Sequence, residues 1–232
     1  MTARRGLATG ASAFATFIQV LPRLPSVIRQ MRPTWHRSGL RAVDERFLRA
    51  NGIRGLIWDV DGTLTGDRRG ELAPECEGPF RALIAIAGVS HVVLSNAGEE
   101  RYVQLGALFP TMPILRAYAV DGEVLCRRRL GADDSWTPEE LERRLAAGAR
   151  VIRKPSAALV DFAVRELRCA KDEALMIGDQ YMTDVSGANM GGVRSVKVPT
   201  LAPETFRTVV KFTQWAERMV YGLVHGRAEI AA

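Results

Sequence analysis

Two carboxylates one residue apart, Asp59 and Asp61, close the apolar run Gly55–Val60, and Gly62 and Thr63 follow them. An apolar stretch that ends in acids is costly unless the charges are paired or used. In extended chain, residues two apart point the same way, so both carboxylates converge on one small volume. Oxygen ligands gathered like this suit a hard divalent cation, which offsets their repulsion. Gly62 permits a sharp turn away from the site. The plainer alternative is an Asp-Gly turn after a strand.

Three later apolar runs end in groups of similar potential. His91–Leu94 is followed by Ser95 and Asn96. Their hydroxyl and amide suit a phosphate oxygen, or else they cap the helix that begins near Glu99. Ala149–Ile152 leads through Arg153 to Lys154 and Pro155. With Pro155 in the first turn of a helix, Lys154 sits where the dipole opposes a cation and invites an anionic partner. A solvated surface lysine is the alternative. Glu173–Ile177 ends in Gly178 and Asp179, with a second acid, Asp184, at a helix start. Asp184 also reads as an N-cap, whereas Asp179 has no such simple role.

The elements that must position these groups follow from periodicity. Gly55–Val60, His91–Leu94, Ile114–Tyr118, Ala149–Ile152, Glu173–Ile177 and Ser195–Val198 are short and rich in Val, Ile and Leu. They lack polar alternation, as strands covered on both faces do. Helices are predicted over Pro79–Gly88, Glu99–Leu108, Pro138–Ala147, Pro155–Arg168 and Asp184–Met190, with Thr137 and Glu140 forming a capping box. Strand and helix alternating at this spacing predict an α/β fold, a Rossmann-like three-layer parallel sheet. Such sheets bind ligands beyond the carboxyl ends of their strands, where all of these groups lie.

Taken together and in this order, the four strand ends resemble the haloacid dehalogenase (HAD) superfamily over roughly residues 54–200. DxDGT at Asp59–Thr63, Ser95, Lys154 and GDx4D at Gly178–Asp184 correspond to its four motifs. The resemblance implies that Asp59 is a nucleophile that becomes an aspartyl-phosphate, and that Asp61 is the general acid and base. It implies Mg2+ held by Asp59, the Asp61 backbone carbonyl and Asp179, with Asp184 orienting the metal shell. Ser95, with Asn96 beside it, would bind the transferring phosphoryl group, and Lys154 would neutralise charge on Asp59 and phosphate. The second aspartate, Asp61, favours a phosphatase over the superfamily's dehalogenases, which lack it, and its P-type ATPases, which have Thr there. A mutase stays open.

Only 33 residues separate Asp61 from Ser95, and 58 separate Ser95 from Lys154. Neither interval holds a full second domain, so a minimally capped, open site is expected, suited to bulky phosphoesters. A narrower resemblance, carried by Ile177–Val185, by Gly187, Asn189 and Gly191, by Gly52–Gly55 and by Lys154 with Pro155, is to the IIIA-type YqeG-like phosphatases. That group includes phosphatidylglycerophosphate phosphatases. The chain departs from it at Gly62, where Asn is frequent, and in an apparent insertion over about 120–149 with a basic run, Arg127–Arg129. The insertion reads as a surface excursion or a substrate-reading flap.

Charge is uneven. The 232 residues carry a net +6, but residues 1–54 hold ten arginines and two acids, a surplus of eight. Three domains are expected: a basic amphipathic segment over 1–53, the phosphatase core over 54–200, and an amphipathic helix and tail over 201–232. Phe14, Phe17, Ile18 and Leu21, then Val27, Ile28 and Met31, fall at helical spacing among arginines, as do Phe206, Val210, Val220 and Val224 near the other end. Both ends suit an anionic membrane surface or packing on the core. A phospholipid phosphate is the substrate this favours. The alternatives are a soluble sugar- or nucleotide-phosphate phosphatase, and a membrane- or partner-binding protein on an inactive scaffold. Nucleic acid is disfavoured because no stacking motif accompanies the basic residues. The three cysteines, Cys76, Cys126 and Cys169, form no disulfide framework, and the longest apolar run, Ala11–Leu21, is too short to span a bilayer. A cytoplasmic protein, peripheral on the inner membrane face, is expected, with organelle targeting as the alternative.

Overall fold

The structure is a computed structural model and describes residues 24–206 and 208–226. Phe14, Phe17, Ile18 and Leu21 lie outside these residues. The elements in chain order are helix α1 (Leu24–Arg29), strand β1 (Trp35–His36), α2 (Glu45–Ala50), β2 (Gly55–Trp58), α3 (Pro74–Ile84), β3 (Ser90–Leu94) and α4 (Glu99–Leu108). There follow β4 (Ile114–Val120), β5 (Glu123–Leu130), β6 (Asp133–Asp134), α5 (Pro138–Ala146), β7 (Arg150–Ile152) and α6 (Ala157–Leu167). The chain continues through β8 (Ala174–Gly178), α7 (Ser186–Gly191), β9 (Arg194–Lys197) and α8 (Thr208–His225).

One sheet runs in the order β1-β9-β8-β2-β3-β4-β5-β6, with β7 also on β4. From β1 to β4 every pairing is parallel. Alternation along the central strands sends side chains to two separate cores. Leu56, Trp58, Leu175 and Ile177 pack with Phe80, Tyr102 and Ile114 on one face. Ile57, Val92 and Met176 pack with Leu159, Val160 and Val164 of α6 on the other. Both faces are covered, which is why these strands read as continuous apolar runs.

The parallel reading fails beyond β4. Strand β7 runs antiparallel to β4 through Ala117–Ile152, and β5 pairs antiparallel with β4 along its whole length. The apparent insertion over 120–149 holds β5, β6 and α5, and β5 extends the sheet as the second strand of a hairpin with β4. The Arg127–Arg129 run hides β5 by its charge. Arg127 is buried, with ion pairs to Glu99 (2.8 Å) and Asp134 (2.7 Å), and its guanidinium lies over the Tyr102 ring.

Helix starts differ in three places, one of them α7, which begins at Ser186 after a π-helical turn that holds Asp184. Pro74 opens α3, with Glu75 and Glu77 favourable in its first turn, so Pro79 lies inside the helix. Ser156 caps α6 by accepting from Leu159 N–H, which leaves Pro155 outside it. At the other end of the sheet, β1 pairs with β9, and Val27 and Met31 are buried near Tyr181, Val185 and Tyr221. The apolar set at Val27–Met31 thus packs on the protein. Among the described residues no helix is long and apolar enough to cross a membrane.

Candidate active site

Strand β2 delivers Asp59, whose N–H continues the ladder to Ile177 O (3.0 Å). The chain then folds tightly: Val60 O accepts from the N–H groups of Thr63, Leu64 and Thr65. Gly62 has φ +97°, and a Cβ there would lie 2.7 Å from Asp179 Oδ2, so both the turn and the neighbouring carboxylate require glycine. Thr63 Oγ1 donates to Asp59 Oδ2 (2.9 Å) and orients the carboxylate.

Strand β8, beside β2, ends at Gly178 and delivers Asp179. A π-helical turn over Tyr181–Val185 brings Asp184 back beside Gly178, where Gln180 N–H donates to its Oδ2 (3.0 Å). Asp59, Asp179 and Asp184 are all buried and place one oxygen each within 4.8 Å of one another. Lys154 Nζ, also buried, bridges Asp59 Oδ1 (2.6 Å) and Asp184 Oδ1 (2.7 Å). It is an interior ammonium and sits at no helix end, because α6 begins after Pro155.

Lys154 in contact, with Lys197 acting on Asp179 from beyond ion-pair distance, does not balance three clustered carboxylates. Burial, and then the nearby Asp184, push Asp59 up to about 7 even though Lys154 opposes the shift. Burial, with Asp59 and Asp184, also holds Asp179 well above the carboxylate range. Burial works against the charge on Lys154, but Asp184 and Asp59 outweigh it and raise its pKa. Asp179 Oδ1 is buried without a hydrogen-bond partner. An orphaned oxygen amid three crowded carboxylates fits a hard divalent cation such as Mg2+.

Asp61 lines the same cavity as Asp59 and is near enough to raise its pKa, but its carboxylate turns aside from the other three. The chain leaves extended geometry at Val60, and the Asp61 carboxylate is outside the triad. Its Oδ1 accepts from Arg101 Nη2 (2.7 Å), Thr65 Oγ1 (3.2 Å) and Arg68 N–H (3.2 Å). Ser95 lines the same cavity as Asp59 and Asp61. Its Oγ accepts from Ala97 N–H (3.2 Å), which leaves the hydroxyl proton to donate elsewhere. The Asn96 amide is turned to the lysine: Oδ1 accepts from Lys154 N–H (2.7 Å) and Nδ2 donates to Lys154 O (3.1 Å). It fixes the Lys154 peptide.

The cavity over these groups has a volume of about 380 Å³. No inserted domain covers it, yet it is less open than expected. Phe206, Val210 and Val220 at the C-terminal end of the chain, with Leu24 and Ile28 of α1, wall one side with apolar groups. The inner face of α8 is polar where it meets the site. Gln214 Nε2 donates to Asp179 Oδ2 (3.4 Å), and Glu217 accepts from Tyr181 N–H.

Arg101, Gln214 and Glu217 escaped the sequence reading. Each left a trace. Arg101 is a cation in the first turn of a helix, against its dipole, and Glu217 is the lone acid in the apolar Thr208–His225 stretch.

A profile of the HAD-hydrolase-like family matches residues 151–202. The chain is 25% identical over 167 residues to "Phosphatidylglycerophosphate phosphatase 1, chloroplastic" of Chlamydomonas reinhardtii, covering 70% of this chain and 50% of that protein. It is 30% identical over 79 residues to "Probable phosphatase YqeG" of Bacillus subtilis (strain 168), covering 34% of this chain and 45% of that protein. The chain thus spans about half the length of these curated relatives. A crystal structure of an uncharacterized protein from Listeria monocytogenes serotype 4b aligns with 67% of this chain and 83% of its own, at 18% identity and a TM-score of 0.41.

Proposed function

We propose that this chain, a member of the HAD-like hydrolases, is a Mg2+-dependent phosphomonoester phosphatase working through Asp59 at a membrane surface, with phosphatidylglycerophosphate as its substrate. The observation that carries the reading is the buried set of Asp59, Lys154, Asp179 and Asp184, with an orphaned oxygen on Asp179. The apolar side of the cavity and the phosphatidylglycerophosphate phosphatase relative support the lipid substrate.

Asp59, Asp179 and Asp184 would hold the ion, with the Asp61 backbone carbonyl as a further ligand. Bound there, Mg2+ offsets the repulsion between an attacking carboxylate and a phosphate. Thr63 and Lys154 hold Asp59 for attack on phosphorus. The bond from phosphorus to the leaving alcohol breaks as Asp61 gives its proton to the departing oxygen. Water then attacks phosphorus and gives its proton to Asp61, and the bond from phosphorus to Asp59 breaks, releasing inorganic phosphate. The Ser95 hydroxyl donates to the phosphoryl oxygens, and Lys154 balances their charge. Asn96 positions Lys154.

The test is turnover of a phosphoester panel, including phosphatidylglycerophosphate in mixed micelles, with Mg2+ and with chelator. Wild type hydrolyses the lipid phosphate only with Mg2+, and Asp59→Asn abolishes turnover. Full turnover by Asp59→Asn sinks the nucleophile assignment. Good hydrolysis of soluble esters with the lipid phosphate untouched sinks the lipid substrate.

A further inference from the structure

We infer that the outer face of α8 is the surface by which the protein seats on an anionic phospholipid bilayer, directly over the mouth of the cavity. The inference deepens the phosphatase reading, and rests on it for the meaning of the cavity.

Large apolar side chains are exposed at nine described positions, and five of them lie in α8. The other four are scattered singly over the sheet and helices, as on any soluble surface. In α8 they are Phe212 (64% exposed), Trp215 (53%), Met219 (49%), Leu223 (81%) and Val224 (53%). Positions 212, 215, 219 and 223 form one stripe of a 3.6-residue helix. The opposite face is already used: Gln214, Glu217 and Tyr221 are buried against the site and against α1. The stripe therefore has no partner among the described residues, and the helix cannot roll to bury it without withdrawing Gln214 from Asp179.

Charge selects the occupant. Lys211 and Arg218 on α8 are exposed, as are Arg29 and Arg32 on the neighbouring α1 side. The only acid in α8, Glu217, is buried, so the exposed face offers apolar groups and cations and no carboxylate. A protein partner of mixed charge needs acids as well, and a second copy of this face would repel itself. An anionic lipid surface matches both features: apolar side chains enter the acyl boundary while lysine and arginine meet headgroup phosphates.

Phe212 joins this surface to the chemistry, since it is both exposed and part of the cavity lining. From there the apolar wall of Val210 and Val220 leads inward to the pocket that holds Asp59. A phosphate on a lipid headgroup reaches Asp59 along this wall while its acyl chains stay in the bilayer.

The full chain carries four tryptophans, of which Trp58 and Trp136 are buried, Trp35 is half-buried and Trp215 is exposed. Vesicles of phosphatidylglycerol and phosphatidylcholine should shift the emission to the blue, pure phosphatidylcholine should not, and Trp215→Phe should abolish the shift. Met219→Ser with Leu223→Ser should weaken co-sedimentation with the anionic vesicles by at least about tenfold. The same double variant should keep wild-type turnover of a small soluble ester. The inference is overturned if wild type shows no shift, or if the double variant binds vesicles as wild type does. Dimerisation that buries Trp215 without lipid, seen by sedimentation velocity, overturns it in favour of a second copy. Loss of binding on deletion of residues 1–22 but not in the double variant overturns it in favour of the N-terminal segment. Vesicle binding without turnover of any ester would leave the bilayer contact standing and remove the phosphatase reading instead.

Discussion

Replacing Lys154 by Met should destabilise the protein far more in chelator than in Mg2+. The ammonium sits 2.6 Å from Asp59 and 2.7 Å from Asp184, and the lysine is 4% exposed. Removing one partner of a buried pair leaves an uncompensated charge and costs about 3–5 kcal/mol. The three carboxylates, with oxygens within 4.8 Å of one another, also repel. At an effective dielectric near 20 each pair contributes about 3 kcal/mol if fully charged. Asp59, already pushed up to about 7, loses an influence that holds it down and takes up a proton more readily.

A divalent ion relieves the same crowding. At a hundredfold excess over its dissociation constant it adds about 2.7 kcal/mol to any form that binds it, and the variant, with one cation fewer among the carboxylates, binds it more tightly than wild type, by about 1.4 kcal/mol for each tenfold. Lys154→Met should therefore lose roughly 3–5 kcal/mol in chelator by urea unfolding and clearly less in saturating Mg2+. Turnover of a soluble ester should fall by about a hundredfold or more in either case if, as proposed, the ammonium also balances the phosphoryl charge. Adding Asp184→Asn should restore part of the stability and none of the activity. The reasoning is refuted if Lys154→Met stays within about 1 kcal/mol of wild type in chelator. It is equally refuted if the loss is the same with and without Mg2+, since the carboxylates would then not be the metal site.

Arg101 is 1% exposed, with Nε and Nη1 buried and unpartnered, and its one ion pair holds Asp61 at 2.7 Å, so its expected role is to position that carboxylate. Arg101→Met should lower kcat about a hundredfold with KM changed less than about threefold, Arg101→Lys should recover part of it, and the effect should vanish in an Asp61→Asn background; additive losses would show that Arg101 acts elsewhere. His91 accepts from Trp58 Nε1–H (3.2 Å), and burial pushes it from 6.5 down to about 4. Above 6.5 neither state is protonated; below it the unfolded chain binds a proton that the folded one refuses, so stability falls until the pH passes below about 4. The loss is about 3 kcal/mol, and His91→Gln should flatten the unfolding free energy over that range relative to wild type; an unchanged slope would rule the histidine out.

The contrast between Asp59 and Arg101 shows what a chain can reveal of its own site. Asp59 and Asp179 were legible because each ends an apolar run, and a charge in that position is anomalous whatever the fold around it, whereas Lys154 was singled out for a helix start that lies further on. Strands β2, β3 and β8 were legible for the same reason, as both faces are covered and little but Val, Ile and Leu remains. Strand β5 was hidden because its inward face is built from arginines whose partners, Glu99 and Asp134, lie on α4 and β6. Arg101 and Glu217 left only a faint trace, a cation in a helix's first turn and a lone acid in an apolar stretch, and docking against Asp61 or Tyr181 is what gives each charge a purpose. Asp61 stands between the two cases. Its presence was legible, but its direction was not, because the turn at Val60 breaks the two-residue alternation that would have aimed it at the metal triad. That break has a chemical use. On the proposed mechanism a general acid at Asp61 turns its carboxylate to the leaving group and away from the ion, and a tight turn locked by Gly62 keeps that carboxylate apart from Asp59, two residues away.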